Sequence, residues 1–196
     1  MTLRIYGYSA SGNCLKVKWT ADTLGLAYAW TEVDVKLGAT RQAAFLALNP
    51  TGQVPFVVLG DGRPLSQSNA IILHLAEGSA LVPADAYDRA KMYEWLFWEQ
   101  YSHEPYVAVA RWQVIGMGKR FDEIEPRIME RGEAALARIE LQVRSTPFLV
   151  GSRLTVADVA CVAYTRVAHE GGFDLGKYPA VQAWVARVEA GLGIQD

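Results

Sequence analysis

The character of the chain changes at Gly78. Before it, short strand-like runs alternate with helix-like runs; after it, only helical spacing recurs. Such a chain needs a sheet that carries helices, followed by a separate helical body. Residues 3–7, LRIYG, read as a strand. Cys14, Val17, Ala21 and Leu24 then recur at helical spacing until Gly25 closes the helix. Residues 28–35, YAWTEVDV, alternate as a second strand. Thr40 is placed to cap a short helix holding Ala43, Phe45, Leu46 and Leu48, which Asn49-Pro50 ends. VPFVVLGDGRPLS reads as a hairpin turning at Asp61-Gly62, and Ser68 is placed to cap a helix that ends at Gly78. The order is β-α-β-α-β-β-α. The crossover rule makes the first two strands parallel, and the hairpin is antiparallel, so the four-stranded sheet is mixed.

The predicted division is a domain at residues 1–78, a linker at 79–88 and an all-helical domain at 89–196. Residues 86–104 carry Tyr87, Tyr93, Trp95, Leu96, Phe97, Trp98 and Tyr101, which predicts a helix buried on more than one side, either as a central helix or as one touching both its own core and a second subunit. LTVADVACVAYTRVA is almost wholly apolar and is expected to be the innermost helix, opened by Thr155 and Asp158 as a capping box with Asp in place of Glu or Gln. Pro179 is placed at a helix start, followed by Val181, Trp184, Val185 and Val188. The cleft between the two domains is the default place for a ligand.

A net charge of −2 with no Lys/Arg run argues against a nucleic-acid partner. Cys14 and Cys161 are too few for a disulfide framework and form no CxxC pair, so reduced thiols and a cytoplasmic setting are expected. No window has the apolar length of a membrane helix, the first residues lack a signal-peptide layout, and no metal-ligand spacing occurs.

Three segments hold the candidate chemistry. Ser11, Asn13 and Cys14 stand where the first strand passes into the first helix; Gln53, Val54 and Pro55 precede the third strand; Gln67 and Ser68 open the third helix. A helix start presents unpaired N–H groups and a partial positive charge. A hydroxyl there is able to donate to an anion such as a bound thiolate. A hydrogen bond to a charged group is worth roughly 1.5–3 kcal/mol, which at about 1.36 kcal/mol per unit lowers a thiol pKa by one to two units from about 8.5. Each residue also has a plainer reading: Ser11 as an N-cap, Asn13 as a solvated polar residue, Cys14 as a buried apolar one. For Pro55 the plainer reading is a trans turn proline and the functional one a cis bond that presents the Val54 backbone to a peptide-like ligand. Gln67 and Ser68 read as a helix cap or as a carboxylate site.

Together, SGNCLKV, NPTGQVPFVV, LSQSNAIILHLAE and GSRLTVADVA resemble the glutathione transferase family, in order and over nearly the whole chain. The resemblance implies an α+β thioredoxin-like N-terminal domain and an all-α C-terminal domain. It implies glutathione as co-substrate, its thiol activated for attack on a small hydrophobic electrophile, with disulfide or peroxide reduction as related chemistry and detoxification as the setting. Val54 would pair with the cysteinyl backbone, with Gln53 and Pro55 beside it. Gln67 and Ser68 would hold the γ-glutamyl group, and Arg41 or Lys36 the glycyl carboxylate. Ser9, Ala10, His103, Tyr106 and Arg111 would wall the electrophile site. The activating group stays open at this stage. Tyrosine-type members would point to Tyr6 or Tyr8. In the serine-type alignment Gly12 takes the usual serine's place, one residue after Ser11. A Thr-x-Asn arrangement matches Ser11-Gly12-Asn13, and a cysteine-type alignment falls one position from Cys14. Ser11 with Asn13 as a second donor is the preferred pair, in a bacterial-like serine-type member. A homodimer is expected. The competing class is a non-catalytic binding or assembly module that keeps the fold without turnover.

Overall fold

The computed structural model describes residues 2–194. It divides into two units, Met1–Ser79 and Ala80–Asp196. In the first, β1 (Leu3–Gly7), β2 (Tyr28–Glu32), β3 (Phe56–Val58) and β4 (Pro64–Ser66) form one sheet in the order β2-β1-β3-β4. β1 pairs parallel with β2 and antiparallel with β3, and β3 pairs antiparallel with β4. The helices are α1 (Gly12–Thr23), α2 (Ala43–Leu48) and α3 (Ser68–Ala76). This is the mixed thioredoxin-like sheet that the residue pattern predicts.

Alternation along the strands separates two apolar layers. Val33, Phe45, Phe56 and Val58 cluster together, with the Tyr6 ring at 5.7 Å from Phe56 and 6.4 Å from Phe45. Ile5, Val57, Ile71 and Ile72 are fully buried, as are Cys14 and Val17 on α1, which packs against α3. α1 ends in a Schellman arrangement: Gly25 at φ 63° sends its N–H to the Asp22 carbonyl, and Leu26 N–H reaches Ala21.

Several local expectations are corrected. β2 stops at Glu32 rather than residue 35, because Asp34 Oδ1 accepts from Lys36 N and Leu37 N and turns the chain. Thr40 lies inside a 3₁₀ turn, Ala39–Arg41, and Gln42 occupies the N-cap position of α2. Ser68 is the first residue of α3, not its cap; Gln67 holds that position.

The second unit contains α4 (Ala86–Trp98), α5 (Glu104–Ile115), α6 (Pro126–Val143), α7 (Val156–Thr165) and α8 (Pro179–Leu192). α4 begins inside the span expected to be linker, because Asp85 Oδ1 accepts from Tyr87 N and Asp88 N and caps it. The long aromatic helix is broken by a π-helical turn, Glu99–His103, just before Pro105 in the first turn of α5. Every residue of α7 is buried. Its capping box forms as read: Thr155 N and Oγ1 donate to Asp158 Oδ2 at 2.9 and 3.0 Å. Asp158 Oδ1 also accepts from Leu149 N at 2.8 Å and Trp184 Nε1 at 2.9 Å, so one carboxylate ties α7 to α8 and to the preceding loop. Among the described residues no helix is long and apolar enough to cross a membrane.

Candidate functional site

The register of the sheet brings the three segments together. Tyr6 pairs with Phe56, and Phe56 with Ser66. The end of β1, the start of β3 and the end of β4 therefore lie side by side at one end of the sheet. From there the chain runs directly into Ser11 at the head of α1, back into Val54, and on to Gln67 and Ser68 at the head of α3. A 3.2 Å hydrogen bond from Ser68 Oγ to Asn13 Oδ1 joins two of the segments across 55 residues of sequence.

Ser11 occupies the N-cap position of α1 at φ −90°, ψ 119°, but its side chain makes no capping bond. Its backbone N–H goes to the Tyr8 carbonyl, and its own carbonyl accepts from Cys14 N and Leu15 N. The half-buried hydroxyl is thus set at the positive end of a helix, where it caps none of the backbone N–H groups and hydrogen-bonds the Cys14 thiol. Neither α1 nor α3 has an acidic residue in its first turn to offset that charge.

Asn13 is oriented by two donors on its amide oxygen, Lys16 Nζ at 2.8 Å and Ser68 Oγ at 3.2 Å. An ammonium group has no acceptor, so the atom it faces is the oxygen, which fixes the amide's orientation. Lys16 itself is fully buried. Residue type alone does not single it out; the signal in the sequence is its i, i+3 spacing from Asn13.

Cys14 is also fully buried. Desolvation pushes its thiol from 9.0 up to about 11, against hydrogen bonds from the Tyr8 backbone and the Ser11 side chain that pull it down. This is the buried apolar cysteine of the plainer reading. Tyr6 is likewise committed, to the aromatic cluster with Phe45 and Phe56.

The Val54-Pro55 peptide is cis. Val54 lies ahead of Phe56, the first paired residue of β3, and so outside the ladder. Asn49, buried at the start of this loop, donates from Nδ2 to the Gln53 carbonyl at 2.8 Å and accepts from Thr51 Oγ1 at 2.9 Å. Arg41 lies over the same loop: a side chain added at Gly52 would meet its Nη1 at 2.6 Å. Lys36 is exposed in the turn after β2. Gln67 is the only non-glycine among the described residues with positive φ, at 72°. Backbone held in that region costs on the order of 1–3 kcal/mol and is concentrated at ligand clamps.

Ser9 is exposed and tied to Glu32 Oε1 through both N–H and hydroxyl, at 2.8 and 3.1 Å, and Ala10 is exposed beside it. His103 does not face a ligand space: it is fully buried, because the π-helical turn swings it into the helical core. Its Nε2 lies 2.9 Å from Thr165 Oγ1, whose only hydrogen goes to the Cys161 carbonyl, so Nε2 carries the proton. Arg111 is engaged by Glu170 at 2.6 Å. Tyr106 opens on a cavity of 280 Å³, together with Trp98, Tyr101, Arg127 and Arg131. Among the described residues no group of three His, Cys, Asp or Glu side chains gathers as a metal site.

Comparison with known proteins agrees with this frame. The family Glutathione S-transferase, N-terminal domain, matches residues 10–77, and Glutathione S-transferase, C-terminal domain, matches residues 100–191. The chain is 32% identical over 165 residues to glutathione S-transferase 3 of Zea mays, spanning 80% of this chain and 73% of that one. A glutathione S-transferase crystal structure from Pseudomonas fluorescens matches with a TM-score of 0.92 at 45% identity, over 97% of this chain and 96% of that one. Over 198 residues the chain is 26% identical to the disulfide-bond oxidoreductase YfcG of Escherichia coli, spanning 93% of this chain and 88% of that one. The chain belongs to the glutathione S-transferase family.

Proposed function

We propose that this protein is a serine-type glutathione transferase that binds glutathione at the shared end of its sheet and holds the thiol as a thiolate for attack on a small hydrophobic electrophile. The observation that carries this reading is Ser11, a hydroxyl standing at the head of α1 with no capping bond of its own. Val54, presented outside the ladder beside Gln53 and cis-Pro55, takes the cysteinyl backbone. Gln67 and Ser68, at the acid-free start of α3, take the γ-glutamyl carboxylate. Arg41, over the Val54 loop, is better placed than Lys36 for the glycyl carboxylate.

In the reaction, glutathione gives its thiol proton to solvent. Ser11 Oγ–H and the Asn13 amide N–H donate to the resulting sulfur anion. The sulfur lone pair forms the bond to the electrophilic carbon, and the leaving group departs with the bonding electrons. The same thiolate is able to attack a disulfide. That second activity is favoured by the likeness to an oxidoreductase along 93% of the chain. A cytoplasmic homodimer belongs to the same reading: Tyr87, Phe97 and Tyr101 are 72%, 74% and 83% exposed, more aromatic surface than one helical core uses.

Retention on immobilised glutathione, followed by ultraviolet titration of the bound thiolate and assays against a halogenated nitroaromatic and a mixed disulfide, tests the proposal. Retention with a lowered thiol pKa and turnover of either substrate supports it. Retention without turnover on either would favour the binding module, and no retention would remove both.

A further inference from the structure

Ser68 has one hydroxyl hydrogen, and in the structure it goes to Asn13 Oδ1. A carboxylate is an acceptor only, so a γ-glutamyl carboxylate arriving at the head of α3 requires that same hydrogen. When Ser68 turns to the ligand, Asn13 Oδ1 loses that donor. Lys16 Nζ donates to the same oxygen at 2.8 Å, from a side chain that is fully buried and one helical turn away on the same helix. A buried lysine gives up the conformational freedom and hydration of its ammonium group, a cost that a short bond such as the one to Asn13 helps to offset.

We propose that Lys16 is a positioning residue for the thiol chemistry: it keeps the Asn13 amide oxygen anchored, and hence the amide N–H groups turned to the sulfur, at the moment the substrate takes Ser68 away. The inference rests on the glutathione reading above and adds to it a division of labour. Ser68 serves affinity, Lys16 serves the ionisation of the thiol, and Asn13 joins the two.

The test uses the full chain with glutathione. Lys16→Met removes the donor; Lys16→Gln restores a donor without charge, and Lys16→Arg restores both. Bound-thiol pKa is read by thiolate absorbance and glutathione affinity by calorimetry. Lys16→Met is expected to raise the bound-thiol pKa by about one unit and lower kcat about tenfold near neutral pH, with affinity held within about threefold. Lys16→Arg and Lys16→Gln recover most of the shift. In an Asn13→Ala background Lys16→Met adds nothing, because the group it positions is gone. Ser68→Ala shows the opposite pattern, with weakened affinity and an unmoved pKa. A folded Lys16→Met with the parental thiol pKa overturns the inference. If that variant does not fold, the wild-type glutathione complex decides: Lys16 Nζ on Asn13 Oδ1 with Ser68 Oγ on the ligand carboxylate supports it, and Ser68 still on Asn13 overturns it. Failure of the wild type to bind glutathione would instead strike the functional reading, so the two failures are told apart.

Discussion

Replacing Cys14 by Ala separates the borrowed sulfur of glutathione from the protein's own. Burial pushes the Cys14 thiol from 9.0 up to about 11. At pH 7 the thiolate fraction falls from about 1 in 100 to about 1 in 10,000, since each unit is tenfold. A glutathione thiol brought from about 8.5 to about 7 by one charge-assisted hydrogen bond is half ionised at that pH, roughly 5,000 times more than Cys14. With no exposed surface, Cys14 is also closed to a substrate. Cys14→Ala is therefore expected to keep turnover within about twofold while costing about 1 kcal/mol of stability for the lost sulfur contacts. Alkylation of the native protein by iodoacetamide, followed by peptide mass spectrometry, should leave Cys14 unmodified near neutral pH, with labelling accelerating only as pH rises toward 11. Loss of turnover in a folded Cys14→Ala variant, or labelling at the rate of a free thiol, would refute this reasoning.

Ser11→Ala should raise the bound-thiol pKa by about one to two units and cut turnover at neutral pH, with glutathione affinity nearly intact; pH–rate profiles check it. Gln67→Gly relieves a residue held at φ 72°, so thermal melting should stay within about 1 kcal/mol of the parent while calorimetry shows glutathione affinity falling. Asp158→Ala leaves the buried donors Leu149 N, Thr155 N and Trp184 Nε1 without their acceptor; at about 1–3 kcal/mol each, denaturant unfolding should show a loss above about 3 kcal/mol. Light scattering at micromolar concentration should give a dimer mass, and a monomer would remove the role assigned to Tyr87, Phe97 and Tyr101.

Much of the fold was legible because the signals were local and agreed with one another. Gly25 ends α1 as its position suggests, and the Asp61-Gly62 turn forms, with Gly62 at φ 92° and Asp61 Oδ1 accepting from Arg63 N. The Thr155–Asp158 box opens a helix buried on all sides. What escaped was decided by competition between near-equal local choices or by tertiary contacts. Asp34 ended β2 early, and Asp85 started α4 early, each through one side chain taking two backbone N–H groups. The π-helical turn that buries His103 leaves no mark in helical periodicity, and the Arg111–Glu170 pair spans 59 residues. In the site, residue type and spacing pointed to Ser11, Asn13 and Ser68, but the bond from Ser68 to Asn13 depends on how α1 and α3 pack. The cis state of Pro55 is set by tertiary context and cannot be read from the dipeptide.

The claim underlying the functional account is that the Ser11 hydroxyl holds the sulfur of bound glutathione as an anion. A crystal structure of the glutathione complex tests it most directly. The account predicts Ser11 Oγ within about 3.5 Å of that sulfur, with the Asn13 amide beside it. A sulfur beyond about 4 Å from Ser11 and held by another donor would contradict it.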